Sequence, residues 1–171
     1  MADAFVPNVD VLVAANQQYS AQFAEAHLPT PPKRQLAIVT CMDARIDVFA
    51  VLGLVNGDAH VIRNAGGVVT NDVIRSLTLS QRVLGTREIV LIHHTYCGLE
   101  GASEDAIRTE LETELGVKPE WAIEAFSDPY VDVKQSIRRL RLSPFVPHQD
   151  HISGFVYDVD NGQLHPVTED A

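Results

Sequence analysis

The sequence is poor in cysteine, and this scarcity limits the chemistry that thiols can support. Cys41 and Cys97 are the only 2 cysteines among the 171 residues. They lie far apart in the chain, so there is no Cys-x-x-Cys redox pair of the thioredoxin type. Closed zinc sites built from four cysteines, or from three cysteines and one histidine, are also excluded. Any metal site would therefore need ligands of a further type.

Basic charge and long apolar segments are also lacking. The chain has 13 Lys and Arg against 23 Asp and Glu, a formal net charge of −10. This argues against nucleic acid or an anionic membrane as a partner, because phosphate contacts need a basic surface. No apolar run is long enough to span a bilayer. The opening residues, MADAFVPNVD, have no basic region, so they do not resemble a secretory signal. We expect a cytoplasmic protein.

The chain instead alternates short apolar runs with helical patterns. Strands are predicted at residues 36–40, 60–63 and 87–94, and helices at 8–27, 46–54, 70–85, 103–115 and 128–142. Asn161-Gly162, flanked by alternating apolar residues, predicts a C-terminal hairpin. Strands that alternate with helices indicate βαβ units. We therefore predict an α/β fold with a mainly parallel central sheet flanked by helices, with the hairpin at its edge.

The length suits a single domain over residues 1–171. Residues 1–35 are predicted to form an N-terminal helical arm and a connector, because an amphipathic pattern is followed by the proline-rich segment LPTPPKR. Residues 36–171 are predicted to form the α/β core. The apolar positions of the arm are Val9, Leu12, Val13, Tyr19 and Phe23.

Both cysteines lie close to the ends of predicted strands. Cys41 directly follows strand 36–40, and Cys97 lies three positions after His94, which ends strand 87–94. The carboxyl ends of parallel strands gather at one edge of a sheet, where function also gathers. Side chains alternate between the faces of a strand, so His93 points away from His94. Two thiolates and one imidazole favour Zn²⁺ over Mg²⁺ or Ca²⁺.

Three protein ligands with an open fourth position are typical of catalytic zinc, where a bound water has a pKa near ~7 and becomes a hydroxide nucleophile. Asp43 and Arg45 follow Cys41 closely and are expected at the same rim. Asp43 could accept the proton of the zinc-bound hydroxide and thereby orient it. Arg45 would keep Asp43 ionised through a bidentate ion pair. If that pair breaks, Asp43 could swing onto the metal and displace the water.

The segments CMDAR and HHTYCG resemble the signature of the β-class carbonic anhydrases, which is Cys-x-Asp-x-Arg followed by His-x-x-Cys. The intervening VIRNAGGVVTNDVIRSL is also similar to that family. The compact actinobacterial branch is the most similar, and that branch also resembles the carbonyl sulfide hydrolases. Tyr96 stands where members of the family often carry a small or polar residue.

The resemblance implies a role for each matching residue. It makes Cys41, His94 and Cys97 the zinc ligands. It makes Asp43 and Arg45 the catalytic dyad, with Asp43 as a fourth ligand in a closed state, and the backbone N–H of Gly98 a donor to bicarbonate. It also implies an active site at a homodimer interface, as a dimer or a dimer of dimers, with the N-terminal helix packed on the partner subunit.

The implied activity is zinc-dependent, reversible hydration of CO₂ to bicarbonate, the reaction of a carbonate dehydratase and thus of a zinc lyase. Hydrolysis of carbonyl sulfide or a related CO₂ analogue at the same site is the alternative. A second alternative is a zinc-binding module that has no catalytic activity. A phosphatase-like role for Cys41 fits poorly, because such enzymes place arginine six positions after the cysteine and Asp47 stands there.

Overall fold

The structure, a computed structural model, describes residues 5–168. Its sheet has five strands: β1 (Leu36–Cys41), β2 (Ala59–Asn64), β3 (Glu88–His94), β4 (Ile152–Tyr157) and β5 (Leu164–Val167). Their spatial order is β2-β1-β3-β4-β5. The pairs β1–β2, β1–β3 and β3–β4 are parallel, and β5 runs antiparallel to β4 at the edge. The predicted α/β fold with a mainly parallel sheet is confirmed.

The described residues form five α-helices: α1 (Val9–Ala21), α2 (Val48–Leu52), α3 (Asn71–Arg82), α4 (Glu104–Leu115) and α5 (Pro129–Leu142). Side-chain oxygens cap the N-termini of α2 to α5, and the caps are Asp47, Thr70, Ser103 and Asp128. Each cap accepts a hydrogen bond from a backbone N–H that the first turn leaves without a partner. Gly53 and Gly116 end α2 and α4 in the left-handed conformation.

Apolar side chains cover both faces of β1 and β3, which explains why these strands lie at the centre. On one face, Val39 and Leu91 belong to a cluster with residues of α3 and α5. On the other, Ile38 and Ile92 belong to a cluster with residues of α2 and with Phe126. With both faces packed, the carboxyl ends of β1 and β3 are held in fixed positions at one edge of the sheet.

Two predicted helices differ in extent from those observed. The first helix ends at Ala21 rather than continuing to residue 27. The second helix covers only Val48–Leu52 and not 46–54, because Asp47 caps its N-terminus and Gly53 ends it. The predicted C-terminal hairpin is confirmed, since β4 and β5 are antiparallel and the connecting residues 158–163 include Asn161-Gly162. Within this loop the Asp158 carboxylate accepts hydrogen bonds from the backbone N–H of Asp160 and the side-chain amide of Asn161.

No residue of α1 is buried in the described chain. The side chains of Val9, Leu12 and Val13 are all more than half exposed, at 61%, 65% and 52%. A helix with this pattern normally buries its apolar stripe against another element. Among residues 5–168, no helix combines the length and the apolar character that crossing a bilayer requires.

Candidate metal centre

The ends of β1 and β3 bring Cys41, His94 and Cys97 together. Cys41 is the last residue of β1, His94 is the last residue of β3, and Cys97 lies in the turn after β3. One potential ligand atom from each residue lies within 4.8 Å of the other two, and all three residues are buried. Because β1 and β3 pair in parallel, their carboxyl ends meet at the same edge. The structure therefore assembles the predicted three-residue cluster.

The tautomer of His94 leaves one nitrogen available to a metal ion. Its Nδ1 lies 2.9 Å from the carbonyl oxygen of Thr95. A carbonyl only accepts hydrogen bonds, so Nδ1 carries the proton and Nε2 has the lone pair. The buried Nε2 has no hydrogen-bond partner among the described residues. An orphaned nitrogen beside two sulfurs fits a soft divalent cation, and zinc prefers this ligand set.

The two thiols have opposite pKa shifts. A hydrogen bond from Cys97 lowers the pKa of Cys41 well below its ordinary value, and His94 and the backbone N–H groups of Asp43 and Gly66 act in the same direction, against burial. The Cys41 thiolate in turn raises the pKa of Cys97, and burial adds to the effect. Burial lowers the pKa of His94, but the Cys41 thiolate, the Thr95 carbonyl and the Asp43 carboxylate together raise it above its ordinary value. A metal that takes both sulfurs must therefore displace a proton.

Asp43 is held at the edge of this cluster by Arg45. The Arg45 Nε and Nη2 atoms donate to the two carboxylate oxygens at 2.9 and 2.7 Å, and its backbone N–H donates to Oδ1 at 2.9 Å. These hydrogen bonds keep the pKa of the Asp43 carboxyl well below its usual range, and the carboxylate raises the pKa of Arg45. Asp43 Oδ2 lies 3.8 Å from His94 Nε2. The predicted bidentate pair is therefore present.

Arg45 also connects the two loops that carry the cluster. Its Nη2 donates to the carbonyl oxygen of Tyr96 at 2.9 Å, directly before Cys97. Tyr96 has a left-handed backbone with φ of 54°, which is unusual for a bulky residue. Sequence reasoning missed this contact, because a bond to a backbone carbonyl depends on loop geometry and not on the type of the accepting residue.

The side chain of Arg63 is a second contact that sequence reasoning missed. Its Nε donates to the carbonyl of Cys41 at 3.0 Å, and its Nη2 donates to the carbonyl of Asp43 at 2.7 Å. Arg63 pairs with Thr40 in the register of β1 and β2. The predicted parallel sheet was the available signal, but it gave no strand order and so did not place Arg63 beside the end of β1.

The Gly66-Gly67 turn packs directly behind Cys41. Gly67 has φ of 72°, and a Cβ added there would lie 2.8 Å from the backbone nitrogen of Cys41 and 2.9 Å from the carbonyl carbon of Thr40. Only glycine fits this close approach without displacing β1. The turn therefore contributes to the position of Cys41, which explains why the flexible pair follows β2.

The remaining predicted residues are placed as follows. His93 points to the opposite face, where its Nε2 lies 2.6 Å from Asp132 Oδ2 and its ring packs on Phe126, with 5.6 Å between ring centroids. His93 therefore does not share the site. Gly98 is exposed directly after Cys97, and a Cβ there would meet nothing within 4 Å. Gly98 is thus next in the chain to a residue of the cluster and beside open space.

Comparison with known proteins identifies the family. The model of a family described as carbonic anhydrase matches residues 36–126. Beta-carbonic anhydrase 1 of Mycobacterium tuberculosis is 50% identical over 93% of this chain and 97% of its own length. A carbon disulfide hydrolase of Acidithiobacillus thiooxidans is 34% identical over 80% of this chain and 78% of its own length. The crystal structure of a carbonic anhydrase from Streptococcus mutans superposes with a TM-score of 0.89 at 43% identity, covering 96% of this chain and 100% of that one. The chain belongs to the β class of the carbonic anhydrase family of enzymes.

Proposed function

We propose that this protein is a zinc-dependent carbonic anhydrase that interconverts CO₂ and bicarbonate. The observation that carries the proposal is the buried cluster of Cys41, His94 and Cys97, with the orphaned His94 Nε2 inside it. The Asp43–Arg45 pair at the edge of that cluster supports a catalytic role over a purely structural one. A structural zinc site is normally closed by four protein ligands, and this one offers three.

In the proposed mechanism, Cys41, His94 and Cys97 hold the zinc ion. When bound, zinc would bring the pKa of a water molecule near ~7 and so make a nucleophile available at neutral pH. Arg45 keeps Asp43 ionised, as the lowered pKa of the carboxyl indicates. Asp43 would accept a hydrogen bond from the nucleophile and orient its lone pair toward CO₂. The backbone N–H of Gly98 would donate to an oxygen of the bicarbonate product.

Asp43 also provides a route to a closed state. Three hydrogen bonds from Arg45 hold its carboxylate in the observed position. If Arg45 moved away, the carboxylate would be free to approach the cluster, since its Oδ2 lies only 3.8 Å from His94 Nε2. Asp43 would then act as a fourth ligand and exclude water.

The test combines zinc content with stopped-flow CO₂ hydration. Asp43→Asn should keep its zinc and lose about 100-fold in kcat, because it removes an acceptor that orients the reacting group. Cys41→Ser should lose zinc first. Asp150→Asn is the matched control, because Asp150 is exposed and precedes β4 at the edge of the sheet opposite to the cluster. Full activity in Asp43→Asn would refute the orienting role. Zinc without turnover in the wild type would indicate a non-catalytic module.

Hydrolysis of a CO₂ analogue is the second candidate function. The similarity to proteins named carbon disulfide hydrolase favours it. Carbon disulfide and carbonyl sulfide are linear and triatomic, like CO₂, so the same nucleophile could attack their carbon atom. Values of kcat/KM for the three substrates on one preparation decide between these activities. We expect CO₂ to give the highest value.

We propose that the protein assembles as a homodimer, or as a dimer of dimers, in which α1 of one protomer packs on its partner. The apolar stripe of α1 is exposed in the single chain. A groove of about 890 Å³ between α3 and α5 offers a matching apolar surface, with Ile74, Leu79, Leu142 and Phe145 among its lining residues. Burial of exposed apolar area on both sides would drive the association.

Sedimentation analysis tests this assembly. Leu12→Glu should give monomers, because it places a charge in the apolar stripe. Gln18→Glu adds the same charge on the side of α1 opposite the stripe and should leave the assembly intact. Dimers in both variants would contradict the role of α1.

We further propose that residues 1–171 form one domain, with residues 1–35 as the arm and 36–171 as the core. Limited proteolysis of the dissociated variant should cleave the arm and leave the core. The 2 free cysteines fit a cytoplasmic location, where thiols stay reduced. Cell fractionation tests that location.

A further inference from the structure

We propose that Arg63 is a positioning residue of the metal centre, which clamps the backbone that carries Cys41 and Asp43. This inference rests on the zinc site proposed above. It concerns a residue of β2 that contributes no ligand atom to the cluster of Cys41, His94 and Cys97.

The clamp has two donors on one side chain. Arg63 Nε donates to the carbonyl of Cys41 at 3.0 Å, and Nη2 donates to the carbonyl of Asp43 at 2.7 Å. The intervening Met42 donates its backbone N–H to the carbonyl of Asn64 at 2.8 Å. The last residue of β1 and the two residues that follow it are therefore tied to the end of β2.

This arrangement fixes Asp43 at both ends. Arg63 holds its backbone carbonyl, while Arg45 holds its carboxylate. The carboxylate lies 3.8 Å from His94 Nε2. A shift of the backbone by a fraction of that distance would alter both the position of the Cys41 sulfur and the reach of the Asp43 carboxylate. The clamp therefore acts on metal retention and on catalysis together.

The geometry requires arginine. A guanidinium presents several N–H donors in a rigid plane, so it can serve two carbonyls at once. The ammonium of lysine is a compact charge on a flexible stem. It could restore one of these two hydrogen bonds, but not both together. Both hydrogen bonds run from the Arg63 side chain to backbone carbonyls. Arg63 is therefore a positioning residue and not a group that touches substrate.

The test compares Arg63→Gln, Arg63→Lys and the control Arg82→Gln, which removes an exposed arginine from the end of α3. The first readout is the rate at which zinc-loaded protein loses its metal to a chelator. We expect zinc loss to be about tenfold faster in Arg63→Gln. This is the lower end of the effect of removing a side chain that holds the metal ligands in place. Arg63→Lys should be intermediate, and Arg82→Gln should match the wild type.

The second readout separates positioning from substrate binding. For CO₂ hydration, kcat should fall in Arg63→Gln with KM nearly unchanged, and Arg63→Lys should recover part of kcat. Thermal unfolding is followed in parallel. If Arg63→Gln does not fold, Arg63→Lys decides the question, since faster zinc loss than in the wild type is still expected.

Two results would overturn the clamp. One is wild-type zinc retention in the folded Arg63→Gln variant, or in Arg63→Lys where that variant alone folds. The other is a rise in KM with unchanged kcat and unchanged zinc loss, which would make Arg63 a substrate contact. Failure of the proposed function would be seen in the wild type itself, which would then hold no zinc or show no turnover. The clamp proposal would then be wrong as well. Failure of the clamp alone is seen only in the variants.

Discussion

Substitution of Gly67 by alanine tests how closely the turn after β2 supports the end of β1. Gly67 has φ of 72°, a conformation that costs an L-residue about 1–2 kcal/mol. The new Cβ would also lie 2.8 Å from the Cys41 nitrogen, 2.9 Å from the Thr40 carbonyl carbon and 3.2 Å from the Ile92 carbonyl oxygen. These are backbone atoms of the two central strands, which cannot move aside as a flexible side chain would.

The magnitude follows from these two contributions. Overpacking of a filled interior costs about 1–3 kcal/mol. Added to the conformational penalty, the expected loss is about 2–5 kcal/mol of unfolding free energy. For a chain of this size each kcal/mol lowers Tm by about 2–4 °C. Gly67→Ala should therefore unfold roughly 4–20 °C below the wild type in calorimetry.

Gly85→Ala is the matched control, because Gly85 has nearly the same φ, 73°, with nothing within 4 Å of the added Cβ. It should incur only the conformational penalty and retain zinc like the wild type. Gly67→Ala should also lose zinc faster, since relief of the clash displaces Cys41. Equal Tm values and equal zinc retention in the two variants would refute the close-packing argument.

Three further predictions concern the site. Tyr96→Asn should raise the unfolding free energy by up to about 1 kcal/mol in denaturant titrations, because asparagine tolerates the left-handed backbone better; a loss of stability would mean that the exposed ring makes a favourable contact. The lowered pKa of Asp43 stabilises the fold above the unfolded value of ~3.9, and this contribution is lost as pH falls through the folded pKa. The stability gap between wild type and Asp43→Asn should therefore narrow on acidification, whereas a constant gap contradicts the assignment. Zinc binding should release a proton from Cys97, whose pKa is raised, in an unbuffered titration; no release would mean that both thiols are already ionised.

The sequence predicts the cluster well because strand ends leave a readable pattern. The apolar run 36–40 ends at Cys41 and the run 87–94 ends at His94. Parallel pairing of these strands then puts both residues at one edge, as observed. Alternation along β3 correctly separates His93 from His94, since His93 bonds Asp132 on the other face.

Contacts between side chains and backbone carbonyls were not predictable in the same way. Arg45 reaches the carbonyl of Tyr96, and Arg63 reaches those of Cys41 and Asp43. A carbonyl is present at every position, so the sequence gives no sign of which one will accept. The C-terminal hairpin was predicted from Asn161-Gly162 and is present as β4 and β5, but the hydrogen bonds that Asp158 accepts within its loop were not predicted.

The central claim is that two sulfurs and one imidazole hold a zinc ion with a position left for substrate chemistry. Zinc K-edge X-ray absorption of the purified protein tests it most directly. The account predicts one zinc per chain with two sulfur neighbours and one imidazole nitrogen, completed by oxygen. A protein that binds no zinc, or a zinc shell without sulfur, would contradict it.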